Sequence, residues 1–180
     1  MAVNLPNILT VIRLCLIPVF TTVFFLPIPA AHPIAAGIYA IAFFTDIADG
    51  YIARKYHLIT TLGKILDPLA DKLFTFTVII CVTIDGVISL WAVVVFFCKE
   101  ALMALGGLVF YRRERDMISS NWWGKLSTGV FFVVLVLLMV FPGIPGVWAT
   151  AMISFALALT LAALCRYAWS FLRITKLDKK

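Results

Sequence analysis

Charge is what this sequence has least of. Only 13% of its 180 residues are Asp, Glu, Lys or Arg, against 63% hydrophobic residues and 15 phenylalanines. A soluble domain of this length could not hide so much apolar surface, so the composition points away from an ordinary globular enzyme and toward a polytopic membrane protein. Histidine is nearly absent. His32 and His57 are the two, and neither has a ligand partner nearby in sequence. Cys15, Cys81, Cys98 and Cys165 lie scattered in apolar runs with no metal-type spacing, so they read as core filler rather than a zinc site. No linker and no internal repeat is visible, which makes residues 1–180 one compact helical domain.

Long apolar runs are present in abundance. They predict an all-α integral membrane protein with six transmembrane helices, at roughly 8–27, 33–50, 69–86, 88–110, 127–141 and 147–170. The fifth is short, so it either takes in Leu126 and Gly129 or tilts little. The opening run LPNILTVIRLCLIPVF lacks a small-residue cleavage site and is interrupted by Arg13, so it reads as a first span rather than a secretory signal.

The basic residues are placed on one side. The connections near 28–33, 86–88 and 142–147 contain no Lys or Arg. Arg54, Lys55 and Lys64 lie in the second connection, Arg112, Arg113, Arg115 and Lys125 in the fourth, and Arg173, Lys176, Lys179 and Lys180 in the tail. Positive-inside bias therefore puts both termini and these connections on the cytoplasmic side. Topology and attraction to anionic membrane lipids account for the clusters, with no nucleic-acid partner implied.

Four aspartates stand out against this background, in FFTDIADGYIARKYHLITTLGKILDPLADKLF, residues 43–74. A charge at the centre of a span costs roughly 2.5–3.5 kcal/mol, and less near its ends. Asp46 and Asp49 fall at the cytoplasmic end of the second span, Asp67 and Asp71 at the cytoplasmic start of the third. Asp46 and Asp49 are one helical step of three apart, with Gly50 and Ala53 continuing the stripe. Gly63, Asp67 and Asp71 recur every fourth residue. Two neighbouring helices can therefore aim four carboxylates at one point, where unpaired anions would repel and some would protonate. Divalent cations remove that conflict, and oxygen ligands without His or Cys suit Mg²⁺ or Mn²⁺ rather than zinc. Gly50, Ala53 and Gly63 would let a bulky or phosphorylated group approach the backbone, although helix packing through small residues is the other reading. Arg54 offers a fork suited to phosphate oxygens, or marks topology.

DIADGYIARKYHLITTLGKILDPLAD resembles the signature of the CDP-alcohol phosphatidyltransferases: D-x-x-D-G-x-x-A-R, eight residues, then G-x-x-x-D-x-x-x-D. Asp46, Asp49, Gly50, Ala53, Arg54, Gly63, Asp67 and Asp71 fill every specified position. The flanks LPNILTVIRLCLIPVF and LDPLADKL are similar to bacterial members, and the likeness weakens after about residue 140. The resemblance implies a six-helix, homodimeric enzyme of the bacterial cytoplasmic membrane, its active site on the cytoplasmic side, that displaces CMP from CDP-diacylglycerol. On matching positions it implies that Asp46, Asp49, Asp67 and Asp71 hold one or two divalent ions, two being expected, against the diphosphate. Asp49, Gly50, Ala53, Arg54 and Gly63 would line the CDP-lipid pocket. Asp71 is either the general base for the acceptor hydroxyl or purely a metal ligand.

The acceptor is a glycerol-type alcohol, and the sequence is divided on which. Lys125, in NWWGKLSTG, matches a Gly-Lys-x-x-Thr element of members that make phosphatidylglycerol phosphate and cardiolipin. Members using glycerol 3-phosphate typically carry Arg-Glu in the fourth span and a second Arg eight residues after the first. Here the pair is Lys99-Glu100 and the later position is Gly107. GGLVFYRRER is more similar to the cardiolipin synthases, whose acceptor is phosphatidylglycerol, so the expectation leans that way, with glycerol 3-phosphate as the alternative. Lys125, Lys99, Arg112 and Arg113 are the candidate acceptor-binding cations. Lys99, Arg13 and Arg166 all fall inside predicted spans, where each either pairs with an acid or serves a site. A divalent-cation transporter would also need membrane carboxylates, but it has no use for Arg54 beside them.

Overall fold

The computed structural model describes residues 5–55, 63–111 and 122–177, with side chains described over 8–48, 66–67, 69–106, 122, 124–166 and 168. The described chain is helical throughout: α1 (Leu5–Phe24), α2 (Ala31–Lys55), α3 (Gly63–Ile84), α4 (Leu90–Tyr111), α5 (Trp122–Val140) and α6 (Gly146–Leu177). Each predicted apolar segment corresponds to one helix. Several helices run beyond the hydropathy boundaries, because polar residues end an apolar run without ending the i to i−4 hydrogen-bond ladder. Thus α2 continues to Lys55, α3 starts at Gly63 rather than 69, and α5 starts at Trp122 and takes in Leu126 and Gly129.

Apolar side chains cover the outside as well as the inside. Val11, Phe44, Ile84, Phe97, Val133 and Phe155 are each half or more exposed. A helix that is apolar all round lacks the wet face of a soluble helix. Among the described residues, Ala31–Ala48 and Gly146–Arg166 are long and apolar enough to cross a membrane, and Ile8–Phe24 and Gly124–Val140 are shorter apolar stretches.

Packing divides the chain into two compact units, Met1–Gly86 with Val136–Gly143, and Val87–Leu135 with Ile144–Lys180. In the first, α1 packs against α2 and α3, and α2 against α3. The buried faces follow helical periodicity: Ala31, Ala35, Tyr39 and Ala42 on α2, Ala70, Phe74, Val78 and Val82 on α3, and Thr10, Arg13, Phe20 and Phe24 on α1. The alanines of α2 let helix backbones approach closely, as membrane helices do. One ring from each helix meets at the centre. Phe74 stands edge-on to Phe20 and to Tyr39, with centroids 5.6 Å away in both cases. Toward the α2 N-terminus, Phe24 stacks on His32, whose Nε2 lies 3.8 Å from Asp85 Oδ2. Gly86, at φ +79°, then turns the chain through a conformation side-chain-bearing residues rarely adopt.

In the second unit α4 packs against α6, and Phe96 of α4 stacks nearly parallel on Phe131 of α5 at 4.8 Å. Ala92, Ala149 and Ala156 are buried in this unit.

Candidate active site

The site is built outward from α1. Thr10 and Arg13 lie three residues apart on its inward face, and each is only 2% exposed. A guanidinium stays charged at any accessible pH, so burying it demands a carboxylate. Asp46 of α2 supplies one, its Oδ1 2.8 Å from Arg13 Nη1. Thr10 Oγ1 donates a hydrogen bond to Oδ1 of Asp67 on α3. The Asp46 and Asp67 charges lie close enough to act on each other. One face of α1 thus gathers the leading carboxylate of each acidic stripe.

Asp71 follows one turn after Asp67 and is partly buried. Its charge reaches Tyr39, whose buried hydroxyl lies 3.5 Å from Thr75 Oγ1. Among the described residues, no group of three or more His, Cys, Asp or Glu comes within metal-holding range, so Asp46 and Asp67 are brought together without Asp71 joining them in one cluster. Asp49, Gly50, Ala53 and Arg54 belong to α2, and Gly63 opens α3. The surroundings of these five positions lie outside the described residues.

The Asp46–Asp67 pair suits a hard divalent cation. Arg13 offsets the charge of one of the two carboxylates, and both offer only oxygen donors. Bound there, such a cation would neutralise charge on a diphosphate.

The predicted acceptor residues fall in the second unit. Lys99 and Glu100 are both buried and form an ion pair with each other, with Lys99 Nζ 4.9 Å from the centre of the Phe96 ring. Of the two readings open for Lys99, pairing with an acid is the one observed. Arg13 answers the same question differently, since its acid belongs to the candidate site. Lys125 is exposed near the start of α5. Arg166 lines a cleft of ≈ 230 Å³ with Leu126 and Ser127 of α5 and Leu159, Ala162 and Ala163 of α6. Arg112 and Arg113 lie outside the described residues.

Thr10 is the residue the sequence reading missed. The signal was present in LPNILTVIRLCLIPVF, where Asn7, Thr10 and Arg13 recur every third residue in an otherwise apolar run.

Carboxylates able to hold a cation, set at a helix junction in an apolar frame, suit an enzyme that handles phosphorylated lipid. The family comparison agrees. The model of the CDP-alcohol phosphatidyltransferases matches residues 3–164, and the chain belongs to that family of enzymes. The family is membrane-embedded and generally uses divalent metal ions. Over 172 residues the chain is 33% identical to the CDP-diacylglycerol–glycerol-3-phosphate 3-phosphatidyltransferase of Salmonella typhimurium, covering 93% of this chain and 94% of the relative. It is 36% identical over 138 residues to the Bacillus subtilis enzyme of the same name, covering 69% of this chain and 70% of the relative. The Haemophilus influenzae enzyme of that name is 35% identical over 132 residues, with 71% of each chain covered.

Proposed function

We propose that this enzyme transfers the phosphatidyl group of CDP-diacylglycerol to glycerol 3-phosphate and releases CMP. The observation that carries the reading is the similarity across 93% of the chain to a relative named for that reaction. It favours glycerol 3-phosphate over the expected phosphatidylglycerol as acceptor, and membership of a transferase family speaks against the transporter alternative. The lean toward cardiolipin rested on Gly107 standing where a cation was expected. That count left out Arg166, which shares a cleft with the two residues that follow Lys125. Lys125 and Arg166, with Arg112 and Arg113, are the cations we assign to the acceptor phosphate. Lys99, balanced by Glu100, steadies α4 instead.

Asp46, Asp49 and Asp67 would hold the divalent ions, Mg²⁺ or Mn²⁺ and two in number, with Asp71 set apart from them as the base. Gly50, Ala53, Arg54 and Gly63 line the CDP-lipid pocket. When bound, the ions neutralise the diphosphate and ease departure of CMP. Asp71 accepts the proton of the glycerol 3-phosphate hydroxyl as its oxygen bonds to the phosphatidyl phosphorus and the bond from that phosphorus to CMP breaks. The apolar exterior supports six membrane spans, and the one-sided placement of Lys and Arg supports cytoplasmic termini with the site on that side. The two packing units are then halves of one family domain, 1–180, working as a homodimer.

The direct test incubates detergent-purified enzyme with CDP-diacylglycerol, Mg²⁺ and labelled glycerol 3-phosphate. Label should enter the lipid fraction as CMP is released in equal amount. Release of CMP without labelled lipid would reject glycerol 3-phosphate as the acceptor.

A further inference from the structure

We infer that Thr10 and Arg13 are positioning residues of this enzyme: α1 fixes one oxygen of Asp67 and one of Asp46, which turns the other oxygen of each toward a divalent cation. The inference rests on the reading of Asp46 and Asp67 as cation ligands, and it adds a helix that carries none of the family signature. Both residues are 2% exposed on one face of α1, so neither can reach water as an alternative partner. Arg13 Nη1 lies 2.8 Å from Asp46 Oδ1, and Thr10 Oγ1 donates to Asp67 Oδ1. A carboxylate with no outer partner rotates about its last torsion and must be ordered when a cation binds. With one oxygen engaged, that ordering is already done. Outer partners of this kind hold ligands in orientation, and losing one typically costs about 10- to 100-fold in metal affinity or activity.

The two residues do different work. Thr10 is neutral, so it acts on orientation alone. Arg13 also places a positive charge 2.8 Å from Asp46, which offsets part of the negative charge that the aspartates bring together. Removing Arg13 altogether would mix a lost orientation with a more negative site, two effects of opposite sign on cation affinity. Thr10 therefore gives the cleaner test, and Arg13→Lys, which keeps the charge and loses the planar fork, is the second.

The experiment measures Mn²⁺ binding to the detergent-purified protein from the loss of the free-ion electron paramagnetic resonance signal, beside kcat and KM for CDP-diacylglycerol. Thr10→Val should weaken Mn²⁺ binding about 10-fold or more and lower kcat while KM changes little. Thr10→Ser, which restores the hydroxyl, should return both toward native. Arg13→Lys should weaken Mn²⁺ binding in the same direction. Should Arg13→Lys not yield folded protein, the Thr10 pair decides alone. Native Mn²⁺ affinity and kcat in Thr10→Val would overturn the inference, and so would equal losses in Thr10→Val and Thr10→Ser. Asp67→Asn separates the two levels: if it too binds Mn²⁺ like the native protein, the ligand reading itself has failed. If it abolishes binding while Thr10→Val does not, only the positioning role has.

Discussion

Arg13 on α1 and Asp46 on α2 form an ion pair at 2.8 Å in which the arginine side chain is 2% exposed and the aspartate 37%. The pair ties a candidate cation ligand to the stability of the helix junction, and it makes aspartates that look equivalent in sequence unequal in the fold.

Asp46→Asn should therefore lose turnover and also unfold more readily. Removing one partner of a buried ion pair costs about 3–5 kcal/mol, and the partial exposure of Asp46 places this case near or below the lower end. Asp67→Asn should lose turnover with little change in stability, because the asparagine oxygen still accepts from Thr10. Thermal unfolding of the two purified variants in detergent makes the comparison, and equal midpoints would contradict it.

Lys99 and Glu100 should behave as a structural couple. Glu100→Gln leaves a buried lysine without its counter-charge and should lower the unfolding midpoint, while the double change Lys99→Met with Glu100→Gln should recover most of the loss. The KM for glycerol 3-phosphate should stay near native in the double variant. A large rise in that KM would return Lys99 to the acceptor site.

Lys125→Glu and Arg166→Gln should each raise the KM for glycerol 3-phosphate by roughly 10-fold or more, since a charge-assisted contact contributes about 1.5–3 kcal/mol. The KM for CDP-diacylglycerol should move far less. An Arg166→Gln variant with native acceptor kinetics would remove that residue from the phosphate site and leave Lys125 with Arg112 and Arg113.

Activity should stop on exhaustive chelation with EDTA and return with Mg²⁺ or Mn²⁺, because carboxylate oxygens need a hard cation between them and a diphosphate. Turnover that persists in EDTA would show that Asp46 and Asp67 serve something other than a cation.

Much of this was legible in the sequence, for a physical reason. Hydrophobic runs report helices directly, so each predicted segment found its helix, while the true ends at Lys55, Gly63 and Trp122 lay in polar sequence where hydropathy has no signal. The stripes through Asp46 and Asp67 could be read from spacing because helical periodicity is local. Their shared dependence on Thr10 and Arg13 could not, since contacts 57 and 33 residues apart in sequence arise only when α1 packs between α2 and α3. The acceptor was harder to read for a related reason. The lean toward phosphatidylglycerol weighed one segment of the chain, Gly107 and the GGLVFYRRER stretch, although cations from different helices can serve one anion, and Arg166 comes from another helix.

The central claim is the choice of acceptor, and a competition assay tests it most directly. Purified enzyme receives CDP-diacylglycerol and Mg²⁺ with glycerol 3-phosphate and phosphatidylglycerol present together, and the lipid product is identified by mass. Phosphatidylglycerol phosphate is the expected product, formed in step with CMP. Cardiolipin as the main product, with no phosphatidylglycerol phosphate, would contradict it.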